Sequence, residues 1–207
     1  MSSDENRKEV ASSRPRIRLS REDRYLQLVS VAWAIIREEG TEALTLGYLS
    51  ERAGVTKPVV YDHFGTRSGL LAVLYQDYDH RQAVVMDKAL AESGEQLADK
   101  AAVIANSYVE CVLNQGSEIP GIVSALNGTP ELETIKCEYE CGFIEKCRGI
   151  LSPYAKQGEI SNAGLWAMLG AAEALSSAAV RQQISAEEAK NELVETILWL
   201  VGRASQH

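Results

Sequence analysis

Several kinds of chemistry are missing from this sequence. Its three histidines and four cysteines are too few and too irregularly placed to suggest a metal centre or a disulfide framework. No glycine-rich phosphate loop, Gly-x-Ser-x-Gly elbow or His-Glu-x-x-His pair appears. The expectation is therefore a protein that is not an enzyme and carries no cofactor and no metal. No stretch alternates apolar and polar residues with the period of a strand. The longest apolar run, Ala163 to Val180, is padded with alanine and serine and holds Glu173 near its middle, a charge that costs about 2.5–3.5 kcal/mol in a bilayer, so no membrane span is expected. The chain does not open on a basic segment followed by an apolar one. The expected setting is the reducing cytoplasm, with Cys111, Cys137, Cys141 and Cys147 as free thiols.

What is present is an ordinary globular composition over 207 residues, 45% apolar and 24% charged, enough for a small module and a larger body. The net charge of −8 is unevenly spread. Residues 1–67 hold 11 basic and 10 acidic side chains, and the remainder holds 10 and 19. Arg14, Arg16, Arg18, Arg21 and Arg24 surround only Glu22 and Asp23, a local cationic stretch suited to a phosphate backbone. Residues 1–19, polar and rich in serine and arginine, read as a disordered basic arm.

The first periodic segment carries Leu26, Val29, Trp33 and Ile36 on one helical face and stops at Gly40. Thr45 precedes a short second helix with Leu46, Leu49 and Ala53 inward, which Gly54 ends. Thr56 reads as the cap of a third, with Pro58 tolerated in its first turn. Two short helices joined by a tight glycine turn form a helix-turn-helix, whose second helix enters the major groove of DNA. Val60 and Phe64 suffice to anchor that helix, leaving Lys57, Val59, Tyr61, Asp62 and His63 free to face outward. Lys57 can reach a guanine edge or a phosphate, Tyr61 and His63 can donate to phosphate oxygens, and Pro58 and Val59 can touch a thymine methyl. Asp62 is out of place on such a face unless it accepts from cytosine or pairs with a cation.

The run Thr45-Leu46, Leu49, Ala53-Gly54-Val55-Thr56-Lys57-Pro58-Val59-Val60-Tyr61-Asp62-His63-Phe64-Gly65-Thr66-Arg67, Leu70-Leu71 resembles the signature of the TetR family. The resemblance covers residues 21–75. It implies an all-α fold: a three-helix helix-turn-helix DNA-binding domain over 20–66, and a larger helical ligand-binding and dimerisation domain over 67–207. It further implies that Thr45 and Tyr61 contact phosphates, that Lys57 to Val59 and His63 face the groove, and that Arg67, where the family more often has lysine, meets the backbone. With Thr56 and Pro58 these complete the expected DNA-binding set. The arm is a candidate for the minor groove.

The rest reads as helices. Thr66 caps a fourth, carrying Leu70, Leu71, Leu74 and Tyr78 toward the head. Thr129-Pro130-Glu131 opens a long helix reaching to about Pro153, another runs from Ser161 to Gln182, and Ser185 to Glu188 is a capping box that opens the last. The last two helices, one rich in small residues and one broadly apolar, resemble the pair that forms the family's dimer interface, which implies a homodimer and a palindromic double-stranded DNA operator. Tyr108, Cys111, Tyr139, Phe143 and Trp166 are the expected lining of a pocket for a small-molecule effector, with Met86, Ile122 and Leu126 as further candidates. His80 beside Asp79 looks like an isolated surface pair. Cys137 and Cys141 share a helical face at a spacing too wide for a disulfide, which leaves thiol sensing as an alternative to ligand sensing, and activation as an alternative to repression.

Overall fold

The computed structural model describes residues 19–114, 118–155 and 159–204. Apart from Leu19, the basic arm lies outside the described residues. The described residues form nine α-helices and two short 3-10 turns, with no strand.

Helix α1 (Arg21–Glu39) is capped by Ser20, whose hydroxyl accepts from the Asp23 amide at 3.0 Å, and it ends at Gly40 with φ at +86°. Its buried stripe is Leu28, Val29, Ala32, Trp33, Ile35 and Ile36. Leu26 departs from the sequence reading: it is 59% exposed, because α1 turns its Leu28–Ala32–Ile35 side inward. A turn at Thr41–Ala43 leads to α2 (Leu46–Arg52) and α3 (Lys57–Phe64), and α4 (Arg67–Glu92) follows at once. Thr45 caps α2 by accepting from the Tyr48 amide, and Thr66 caps α4 by accepting from Gly69. Thr56 holds the cap position of α3 but makes no side-chain cap bond, so its hydroxyl remains uncommitted.

The body comprises α5 (Leu97–Leu113), α6 (Glu118–Leu126), α7 (Pro130–Leu151), α8 (Asn162–Val180) and α9 (Ala186–Ala204). The capping box before α9 forms as expected, with the Ser185 hydroxyl accepting from the Glu188 amide and the Glu188 carboxylate accepting from the Ser185 amide. α8 is long and apolar enough to cross a membrane, yet Leu165, Met168, Leu169, Ala172 and Ser176 are buried in the core it shares with α5 and α9.

The apolar interior forms two clusters. One joins α1, α2, α3 and the first half of α4 to Ile119, Ile122 and Leu126 of α6 and Leu132 of α7. The other is built from α5, α8 and α9 with parts of α4 and α7. α4 therefore belongs to both: Leu70, Leu71 and Leu74 lie in the first cluster, Met86 in the second. At 26 residues it runs about 39 Å, long enough to couple the two mechanically.

Candidate functional site

At the head, α3 rests on Val60 and Phe64, both buried, and turns its other side to solvent. Lys57, Pro58, Tyr61 and Asp62 are exposed, while Val59 and His63 are partly covered. The His63 ring lies 6.0 Å from both Tyr25 and Phe64, so packing fixes its orientation while one side stays open. The tight approach of α2 to α3 brings two expected residues together. A Cβ placed at Gly47 would lie 3.8 Å from Lys57 Cε and 3.9 Å from Thr45 Oγ1, so the lysine folds along a glycine beside the threonine. The Thr45 oxygen is used as a cap acceptor, which leaves its O–H free to donate outward. Nothing in the sequence pattern singled out Gly47.

Arg67 behaves differently from the others. Its Nε donates to the Leu44 carbonyl and its Nη2 to the Thr41 carbonyl, each at 2.8 Å, with Glu42 at 3.6 Å. These bonds tie the start of α4 to the Thr41–Ala43 turn, where the Thr41 carbonyl also accepts from the Leu44 amide at 3.2 Å. Arg67 is thus first an internal strut.

Behind the head a cavity of about 770 Å³ opens between α4, α5, α7 and α8. Of the residues expected there, Tyr108, Cys111, Tyr139, Phe143 and Met86 line it. Trp166 does not: it is 45% exposed on the outer side of α8, because Leu165, Met168 and Leu169 take the inward positions. Ile122 and Leu126 are fully buried in the head's cluster and do not reach the cavity. Apart from Met86, sequence reasoning missed the contribution of α4, which also lines the wall with Tyr75, Tyr78, Asp79 and Gln82. Their three- and four-residue spacing marks one helical face and could have been read as such. Asp79 is correspondingly no surface residue. It is half-buried, and burial pushes its carboxyl above the ordinary carboxylate value, against the opposing pull of Lys146 and His80.

Tyr78 joins the two parts. Its ring packs on the head's apolar cluster, and its hydroxyl donates to the Cys111 carbonyl at 2.8 Å and meets the Cys111 sulfur at 3.4 Å. The Tyr75 and Tyr139 rings stand 5.3 Å apart, and Tyr108 meets Phe143 edge-on at 5.2 Å. Three of the thiols are shifted away from the thiolate. Burial pushes Cys111 up and Cys147 up to about 12, and Cys141 is raised by desolvation and by neighbouring Cys137.

A short helix with an open polar face, seated across a glycine turn and backed by a helical body with an aromatic cavity, defines a helix-turn-helix regulator fold. Residues 28–74 match the family of bacterial regulatory proteins called the tetR family. Over 140 residues the chain is 26% identical to the Transposon Tn10 TetC protein of Escherichia coli, covering 66% of this chain and 68% of that protein. It is 39% identical over 64 residues to the HTH-type transcriptional activator FasR of Mycolicibacterium smegmatis (strain ATCC 700084 / mc(2)155). That second match takes in 30% of this chain and only 29% of FasR. The crystal structure of a transcriptional regulator of the TetR/AcrR family from Thermobifida fusca YX-ER1 has the same fold, with a TM-score of 0.62 at 19% identity, over 85% of this chain and 97% of that one. The family match thus covers the head, residues 28–74, and the whole chain shares the fold of these regulators.

Proposed function

We propose that the protein is a ligand-responsive transcription regulator that binds a palindromic operator as a homodimer, represses from it in the cytoplasm, and is released when a small molecule fills the cavity. The observation that carries this reading is the double membership of α4, whose first half belongs to the head's core and whose second half forms a wall of the cavity. A ligand that fits better when α4 is displaced favours a state in which the head sits differently, and by linkage DNA weakens that ligand's affinity by the same factor. The head contacts DNA through Thr45, Thr56, Lys57, Pro58, Val59, Tyr61 and His63. Arg67 reaches phosphate with the N–H groups its two internal bonds leave over. In domain terms, residues 1–19 act as an arm, 20–66 as the DNA-binding unit and 67–207 as the sensing and dimerising unit.

The dimer reading rests on the outer faces of α8 and α9. Trp166 is 45% and Trp199 64% exposed, a pair of large aromatic side chains suited to burial by a second copy. A two-fold axis through these helices would set two copies of α3 for half-sites about 34–36 Å apart, so that a small pivot of α4 spoils the match. Activation is the second reading of the regulatory sign, because FasR is named an activator.

The test is a salt-titrated mobility shift with DNA from upstream of the protein's own gene, repeated with a metabolite library. Sequence-preferring binding with a steep salt slope supports the DNA reading, and release by one compound supports the effector reading. Binding without sequence preference refutes the operator. Transcripts that fall when the gene is deleted would make the protein an activator.

A further inference from the structure

The cavity's charges are unbalanced in a way that specifies its occupant. Its wall carries Asp79, Glu138, Glu140 and Glu173 against Lys136 and Lys146. Lys146 is already engaged, with its Nζ 2.7 Å from the Asp87 carboxylate and donating to the Ala83 carbonyl at 3.3 Å. Asp79 and Glu173, in contrast, accept no hydrogen bond and make no ion pair among the described residues. Glu173 stands where the main cavity adjoins a smaller one of about 390 Å³, the two sharing Tyr108, Val112 and Glu173.

Aromatic rings cover much of the remaining wall. The phenol hydroxyls of Tyr75, Tyr108 and Tyr139 have no hydrogen-bond partner among the described residues, and each of these rings lines the cavity. All three phenols are raised, first by burial and then by the cavity's own carboxylates, Asp79 for Tyr75 and Tyr139 and Glu173 for Tyr108. The interior therefore carries a negative potential, and ring faces add to it, since the face of an aromatic ring attracts cations.

A neutral ligand filling this space would strip water from Asp79 and offer nothing in return, and an anion would face the four carboxylates of the wall with only Lys136 left to meet it. Resting on the effector reading above, we infer that the cavity takes an organic cation with an aromatic body, its positive centre facing Asp79 and Glu173 and its rings lying on Tyr75, Tyr108 and Tyr139. The uncommitted phenols would receive the cation's polar edge. The Tyr78 contact with Cys111, on the same wall, places the stretch of α4 that joins head and body within reach of whatever fills the cavity.

Three probes of similar shape and different charge separate this from its rivals: tetraphenylphosphonium, triphenylphosphine oxide and tetraphenylborate, each titrated calorimetrically into the full-length protein. The phosphonium should bind at least about tenfold more tightly than the neutral oxide, and the borate more weakly than either. Asp79→Asn and Glu173→Gln should each weaken the phosphonium about tenfold and leave the oxide unchanged. Both variants remove an unpaired charge, so their melting temperatures should hold or rise, which guards against loss of folding as the cause. Borate binding as tight as phosphonium, or wild-type phosphonium affinity in both variants, would overturn the inference. Silence from all three probes would overturn it too, while operator release by metabolites would decide the effector reading separately.

Discussion

The bond between Trp33 and Asp77 ties α1 to α4 one residue away from the cavity wall, and its strength can be worked out. Trp33 is 6% exposed, and its indole Nε1 donates to Asp77 Oδ2 at 2.7 Å. Arg81 Nη2 lies 3.0 Å from the same oxygen, and its guanidinium sits 5.0 Å from the Trp33 ring centre. A hydrogen bond to a charged acceptor contributes about 1.5–3 kcal/mol, and the lower end applies because the carboxylate is partly hydrated and shared with Arg81. The Arg81 contacts are half in solvent and add about 0.5 kcal/mol at most. Trp33→Phe also removes ring volume from the core, about 1 kcal/mol more, for a total of about 2.5–3 kcal/mol. Asp77→Asn keeps an acceptor and loses only its charge, so about 1 kcal/mol is expected. Urea unfolding of both single variants and the double variant should show a coupling of about 1 kcal/mol at constant m. A coupling below about 0.3 kcal/mol would mean that the two sites are additive and that this bond does not hold the head to α4. If the bond does hold, the same variants should narrow the difference between DNA affinity with and without cavity ligand, because α4 would then move without taking α1 with it.

Gly121→Ala should destabilise by about 1–3 kcal/mol in thermal melts, since the new Cβ would fall 2.5 Å from Thr41 Oγ1, whereas Gly149→Ala, whose Cβ meets nothing, should stabilise by up to about 1 kcal/mol. Asp79→Asn should change the pH dependence of stability. With its pKa raised above the ordinary 3.8 on folding, native Asp79 takes up its proton at higher pH than the unfolded chain does, so wild-type stability falls as pH rises through that window. The variant, which lacks this loss, should melt higher than wild type at neutral pH, with the gap closing near pH about 4. On DNA, Tyr61→Phe should weaken binding about equally across sequences, while Lys57→Ala should cost about 1–3 kcal/mol and also change base preference in a binding selection. Equal sequence profiles for the two would rule out base reading by Lys57.

The head was largely legible because local chemistry governs it. Thr45 and Thr66 as caps, Gly54 at φ +65° and the Val60–Phe64 anchor all follow from sequence spacing and all appear in the structure. The cavity was only half legible, because helical spacing says that a face is buried without saying against what. Tyr108, Cys111, Tyr139 and Phe143 could be picked out as amphipathic residues on body helices, but Trp166 has the same chemistry and points the other way. Tyr78 was assigned to the head, and its ring does pack there, yet its hydroxyl belongs to the cavity side. No one-dimensional pattern distinguishes the two ends of one side chain. The same holds for α6, whose Ile119, Ile122 and Leu126 join a core formed almost 50 residues or more earlier in the chain.

That long-range packing gives the head a second connection to the body besides α4. Gly121 of α6 lies against the Thr41 side chain, while Arg67 at the start of α4 holds the Thr41 carbonyl. Thr41 is therefore gripped from both sides, by α6 through its side chain and by α4 through its backbone, immediately before the turn that positions Thr45 and α2. Pro120 of α6 lines the smaller cavity, and Tyr78 of α4 lines the larger. A ligand that shifts either helix thus acts on the same turn, and Arg67 matters there because it fixes that turn to α4. On this argument Arg67→Lys, which keeps the charge but loses the planar fork, should preserve much of the attraction to phosphate and still loosen the link between cavity and head. If DNA affinity and its response to ligand changed in parallel in that variant, Arg67 would be acting on DNA directly and not through the Thr41 turn.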